Sequence, residues 1–217
     1  MTSSTETLPK RSTYRHGDLR QALLDAGIEL ARAGGPEAVV LREATRRAGV
    51  VPNAAYRHFA SREDLLQAVR SAALSALARA MEAELKAPSG KAKRAAPEAA
   101  RHALRAVGTG YMRFALAERG LFRTAFSVPG DPGVAADPAK AGDTGLNPFE
   151  LLGAALDQMV AAGLLPARKR PDAAYLAWSA VHGLALLVID GPLREMGAAQ
   201  TRTLGQRLLD MVEQGLA

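Results

Sequence analysis

The 217-residue sequence contains no cysteine, which excludes disulfides, thiolate metal sites and cysteine nucleophiles. Aromatic residues make up only 5% of it, and β-branched residues are sparse as well, so few side chains favour strands. Long apolar runs are also missing. None approaches the roughly 20 residues needed to span a bilayer, and the longest, 175–189, carries His182. The first residues, MTSSTETLPKR, have no apolar stretch behind their charges, unlike a secretory signal. The expectation is a cytoplasmic chain with no membrane partner. There is no phosphate loop, no Gly-x-Ser-x-Gly elbow, no dinucleotide fingerprint and no His-Glu-x-x-His pair. The four histidines, His16, His58, His102 and His182, are scattered without zinc spacing. No catalytic residue, metal or cofactor is expected.

What is present points to helices. Apolar residues reach 48% and charged residues 23%, enough for a real core. Ala, Leu, Arg and Glu dominate, and straight-chain residues lose little rotamer freedom in a helix. The fold class is read as all-α, with about nine helices. The net charge is +6 and the pI near 10.0, which suits a polyanionic partner without proving one. The excess is uneven. Residues 1–70 hold 11 Lys/Arg against 8 Asp/Glu, and 86–105 hold 6 against 1, whereas 106–217 hold 10 against 11.

Residues 1–13 read as a flexible basic arm. A first helix runs from about 17 to 33, with Leu19, Leu23, Ala26 and Leu30 at helical spacing, and Gly34-Gly35-Pro36 ends it. Two short helices follow, over 41–48 and 52–59, joined by Gly49-Val50-Val51. Short helices around a three-residue turn with Gly form the helix-turn-helix pattern. Ser61-Arg62-Glu63-Asp64 then opens a long helix to about 86, with Ser61 as cap and two acids at the positive end of the dipole. A basic linker with Pro, Gly and Ser, 86–97, leads to helices near 98–118, 120–127, 148–163, 171–190 and 200–215. Residues 128–148, with four prolines and four glycines, read as a mobile loop. The domain reading is 14–70 for DNA binding, with the motif at 40–59, and 71–217 for the rest.

The second short helix would lie in the major groove of double-stranded DNA and offer its first residues to base edges. Asn53 can pair bidentately with adenine, and Arg57 can reach guanine or a phosphate. Tyr56 and His58 suit phosphate contacts that set the register. Ser61 sits at a helix N-terminus able to receive a phosphate, and Arg62 could bind one bidentately. Arg42, Thr45, Pro52 and Ala54 complete the expected DNA face, with Arg15 reaching from the arm. The bland alternatives are that Tyr56 and Phe59 are core residues and that Arg42, Arg46 and Arg47 form a solvated face.

The run Gly49-Val50, Pro52 to Ala55, Tyr56-Arg57-His58-Phe59 and Ser61-Arg62-Glu63-Asp64-Leu65 resembles the DNA-binding domain of the TetR family of bacterial repressors. The resemblance covers about 55 residues, Tyr14 to Val69. It departs from the family at Val51 and Val40, where a Ser or Thr cap is usual; each missing cap costs about 1 kcal/mol. Trp178-x-x-x-His182-Gly183, with Tyr14-Arg15-His16-Gly17-Asp18-Leu19, resembles a subgroup named for a Trp-His-Gly (WHG) C-terminal domain.

This resemblance implies a larger C-terminal bundle that holds an effector and pairs two subunits. Trp178 and His182, four residues apart, share a helical face. They would line the effector cavity or else pack the core. Tyr111, Phe114, Phe122, Phe126 and Met159 are further cavity candidates. A half-site per recognition helix calls for a homodimer on a palindromic operator. Leu186, Leu187, Leu204, Leu208 and Met211 are the expected dimer contacts. The implied function is a transcriptional repressor released by an unidentified small apolar or planar ligand. The alternatives are an effector-independent architectural protein or an activator.

Overall fold

The computed structural model describes residues 19–87, 95–128 and 137–216. Among these residues it contains nine α-helices and no strand. They are α1 (Leu19–Gly34), α2 (Leu41–Arg47), α3 (Pro52–Ala55), α4 (Arg62–Lys86), α5 (Ala96–Ala117), α6 (Arg119–Ala125), α7 (Pro148–Ala161), α8 (Arg170–Ile189) and α9 (Ala198–Leu216). Short 3-10 turns occupy Pro36–Ala38, Pro138–Lys140 and Ala167–Lys169. The arm 1–13, with Arg15 and most of the linker, lies outside the described residues.

The helices begin and end where local chemistry directs. Ser61 and Asp64 form a reciprocal capping box at the start of α4. Asn147 and Glu150 do the same for α7. Neither α2 at Val40 nor α5 at Ala95 has a side-chain cap. Gly49 turns the chain between α2 and α3 at φ 67°, a region glycine enters without steric cost.

The central element is α4. It packs against α1, α5, α6 and α7, so it belongs to the N-terminal helices at one end and the bundle at the other. Leu65 and Val69 press on α1 at Gly27, while Leu77 and Met81 are buried farther along. The small helix α6 is wedged against α1, and Gly120 meets the carbonyls of Ala31 and Arg32 so closely that no Cβ would fit. Glu118 pairs with Arg32 of α1 at 2.8 Å, and Arg123 pairs with Asp190 at the end of α8.

Two readings from sequence are corrected. Residues 137–147 do not hang as a free loop but lie along α4. Ser75 Oγ donates to the Ala141 carbonyl at 2.5 Å. Glu82, only 1% exposed, accepts from the Asp143 and Thr144 N–H groups, each at 2.9 Å, and from the Thr144 hydroxyl at 2.6 Å. A buried carboxylate is tolerated when it is satisfied in this way. The second correction concerns the apolar run at 175–189. The stretch Ala167–Ile189 is long and apolar enough, by length and composition, to cross a membrane. Here its helix is a core element: Ala173, Ala177, Val181, Ala185 and Val188 are buried, and α5, α7 and α9 pack around it.

Candidate functional site

Two sites share α4. The first is the face made by α2, the Gly49 turn and α3. Ala55 and Phe59 are buried and fasten this segment to the helices behind it, and the Arg20 guanidinium of α1 lies 5.1 Å from the Phe59 ring centre. Phe59 is therefore core. With that side anchored, Asn53, Tyr56 and Arg57 face solvent. Tyr56 is 57% exposed and Val51 68%, large apolar surface left uncovered among the described residues. Ala54 and His58 are half-buried at the margin. The recognition helix itself is shorter than the 52–59 expected. After Ala55 the chain continues as a turn, with the His58 and Phe59 N–H groups both donating to the Ala55 carbonyl. Val51 offers no side-chain oxygen to extend its start.

Several expected DNA contacts serve the fold instead. Thr45 is 2% exposed, and its hydroxyl donates to the Arg42 carbonyl at 2.6 Å, so it cannot reach a base. Arg62 donates to the carbonyls of Val39 and Pro36, both at 2.9 Å, stapling the turn before α2. The Ser61 oxygen accepts from Asp64 N–H, and the Asp64 carboxylate in turn accepts from Ser61 N–H, so both groups of the capping box are engaged. Arg46 and Arg47 both bond to Glu43, and these bonds hold its carboxyl down to about 2, Arg46 contributing most. Arg42 remains exposed on α2.

The second site is a cavity of about 300 Å³ inside the bundle. Its walls come from α4 (Arg70, Leu74, Met81), α5 (Leu104, Val107, Tyr111), α7 (Phe149, Leu152), α8 (Trp178, Val181, His182) and α9 (Leu209, Val212). Phe126 and Lys140 also line it. Tyr111, Phe126, Trp178 and His182 thus come together as the sequence suggested. Phe114 and Met159 do not; both are packed in the core away from the cavity. Phe122, fully buried, sits behind Tyr111 with ring centres 5.6 Å apart. Helical periodicity marks a face as apolar but not whether the neighbour is a side chain or a void. Arg70, Lys140 and Phe149 were missed for the same reason: only the assembled bundle brings them to one wall.

Tyr111, Trp178 and His182 form a hydrogen-bonded chain centred on the Tyr111 hydroxyl. Trp178 Nε1 donates to the Tyr111 hydroxyl at 3.2 Å, and that oxygen lies 2.7 Å from His182 Nδ1. Burial pushes the Tyr111 phenol up, outweighing the opposing effect of the Trp178 hydrogen bond. Burial also pushes the His182 imidazole down. The phenol therefore stays protonated beside a neutral imidazole, and the tautomer of His182 sets which of the two donates. The Phe126 ring stacks 4.7 Å from His182, centre to centre. Among the described residues no cluster of three His, Asp or Glu could hold a metal.

On the outer surface of α8 and α9, Leu186, Leu187 and Met211 are exposed, while Leu204 and Leu208 are half-buried against the core. Tyr175 and Leu176, which sequence reasoning did not single out, extend the apolar face along α8.

Comparison with known proteins agrees with this architecture. Residues 104–212 match the model of the tetracyclin repressor-like C-terminal domain, and residues 23–69 match that of the bacterial regulatory proteins of the tetR family. A protein of unknown function from Rhodococcus sp. RHA1 is similar in structure, with a TM-score of 0.72, 27% identity, and coverage of 95% of this chain and 100% of that one. The TetR family transcriptional regulator PfmR from Thermus thermophilus shares the fold at a TM-score of 0.54 and 20% identity, covering 90% of this chain and 98% of that one. A regulatory protein of the tetR family from Rhodococcus RHA1 does so at 0.54 and 16%, covering 92% and 97%. No curated protein matches the chain. With one family model spanning half its length and a second covering the helix-turn-helix, the chain belongs to the TetR family of DNA-binding transcriptional regulators, which are not enzymes.

Proposed function

We propose that the protein is a homodimeric transcriptional repressor that leaves a palindromic operator when a small ligand fills the cavity. The observation that carries this reading is the position of the cavity: α4 forms one wall, and the same helix starts directly after the recognition element. A ligand that binds one bundle arrangement better shifts the population toward it. α6 offers a second link, because Phe126 at its end lines the cavity while Gly120 presses on α1. Two recognition elements on a dimer need a separation of about 34–36 Å, one DNA turn, so a small movement of α4 breaks the fit.

On the DNA side, Asn53 reads a base edge, with Pro52 and Ala54 beside it. Tyr56, Arg57, His58 and Arg42 hold phosphates, and Arg15 extends the grip from the arm. Thr45, Ser61 and Arg62 are left out because their side chains are taken up by the fold. The exposed apolar face of α8 and α9 serves as the dimer interface, with Tyr175 and Leu176 added to the five residues first named. The domain division is 14–70 and 71–217, and the site of action is the cytoplasm. Within the family, Trp178, His182 and Gly183 favour the Trp-His-Gly subgroup.

Genome-wide footprinting tests the reading. A repressor protects one or a few palindromic sites, including one near its own gene, and lowers transcription from them in a purified system. Many dispersed sites would indicate an architectural protein, and stimulated transcription an activator. Ligand binding that left operator affinity unchanged would remove the coupling.

A further inference from the structure

We propose that the ligand is an organic acid, with an acyl or aromatic body in the apolar part of the cavity and a carboxylate paired with Arg70 and Lys140. This rests on the reading of the cavity as the effector site and adds the chemical class of the effector.

The cavity wall is unbalanced in charge. Arg70, Arg105 and Lys140 line it, and among the described residues no Asp or Glu does. Arg105 is already neutralised by Asp210 at 2.5 Å and Glu213 at 3.1 Å. Arg70 is not. Its two terminal nitrogens donate to neutral oxygens, Gln67 Oε1 at 2.7 Å and the Val128 carbonyl at 3.1 Å. Its Nε–H is buried without a partner among the described residues, and burial lowers the pKa of the group. A buried cationic donor left unpaired is costly and unusual. A carboxylate supplies both the missing acceptor and the missing charge, and guanidinium is the group best shaped for it.

Lys140 adds to the same wall. The Ser71 hydroxyl, next to Arg70, bonds to Asp137 at 3.3 Å, and Asp137 forms a long ion pair with Lys140 Nζ at 3.8 Å, which makes Lys140 the weaker of the two cations for a ligand carboxylate. Both cations thus border the junction of α4 with the 138–140 turn. The rest of the surface is Leu74, Leu104, Leu152, Phe126, Phe149 and Trp178. Tyr111, Trp178 and His182 hydrogen-bond to one another, and as neutral groups they add no charge to the wall. A cationic ligand would meet the uncompensated Arg70 charge, and a neutral one could accept from the Nε–H but would leave that charge without a counterion. At about 300 Å³ the cavity is at the small end for ligand sites, which suits a medium-length acyl chain or a short arylalkyl body.

The chain has a single tryptophan, Trp178, and it lies in the wall, so its fluorescence reports occupancy. The full-length protein is titrated with decanoate and decan-1-ol, and with 6-phenylhexanoate and 6-phenylhexan-1-ol. We expect each acid to bind at least about tenfold more tightly than its alcohol, the size of a charge-assisted hydrogen bond. Arg70→Gln should bring that ratio toward one, Arg70→Lys should keep much of it, and Lys140→Gln should reduce it several-fold. The last variant serves if Arg70→Gln does not fold. Equal binding of acid and alcohol, or a preference that survives both Gln substitutions, overturns the acid assignment and leaves the cavity as a ligand site. No response to any of the four probes overturns both readings.

Discussion

Between Leu41 and Phe59 the polar and aromatic groups not required by the fold face outward: Asn53, Tyr56 and Arg57 are exposed while Ala55 and Phe59 hold the segment down. In the cavity the arrangement is reversed, because Tyr111, Trp178, His182 and Arg70 face inward from helices far apart in sequence. Two of the arginines of α4 show the same contrast. Arg62 has backbone carbonyls for its donors, whereas Arg70, farther along the helix, keeps one buried donor unpaired. A surface site can be changed without disturbing the fold, and an interior site cannot. Substitutions in the two regions should therefore register in different measurements.

The strongest test lies behind the cavity. Phe122→Ala removes a fully buried ring that supports Tyr111, and it should cost about 3–5 kcal/mol in denaturant unfolding. A loss below about 1 kcal/mol would show that α6 is loosely held and would dissolve the contrast. Tyr56→Ala should do the opposite. Operator affinity should fall roughly 10- to 100-fold in a gel-shift assay, with the thermal midpoint unchanged, because the ring is mostly exposed. A large drop in the midpoint would mean that Tyr56 is structural.

Glu82→Gln lies between these extremes and should cost about 1–3 kcal/mol, the usual loss when a satisfied buried charge is removed. Burial works against the Glu82 charge, but the hydrogen bonds from Thr144 and Asp143 outweigh it and hold the pKa below the ordinary 4.5. The unfolded chain therefore binds this proton more tightly. The carboxylate stabilises the fold fully above the ordinary value, and that contribution is lost as pH falls through the lower folded value. Unfolding curves from pH 7 to pH 3 should show this acid limb in the natural chain and a shallower one in the variant. The smallest effect is expected at Val51→Ser, which restores a cap to α3 and should stabilise by about 0.5–1 kcal/mol. A thermal melt without any gain would show that the short helix is limited by something other than its cap.

Local features were readable in the chain. Ser61 with Asp64, the glycine turn, the apolar stripe of α1 and the outward Tyr56 each depend on neighbours a few residues away. Arg62 and the 137–147 segment were misread because their partners are elsewhere, and Thr45 because its burial depends on how α2 packs. Arg62 reaches back to Pro36 and Val39, and Glu82 holds residues more than sixty positions downstream. Phe114 and Met159 were as plausible for the cavity as Phe149, which lines it, since all three are large apolar residues on helices.

The sequence alone therefore determined the helical class, the order and approximate limits of the helices, and the helix-turn-helix segment, because periodicity, caps and turn residues act over a few positions. Tertiary structure decided where the bundle leaves a void and which buried groups remain without partners. Those outcomes depend on how helices distant in sequence meet, and on whether a side chain or empty space lies opposite each residue.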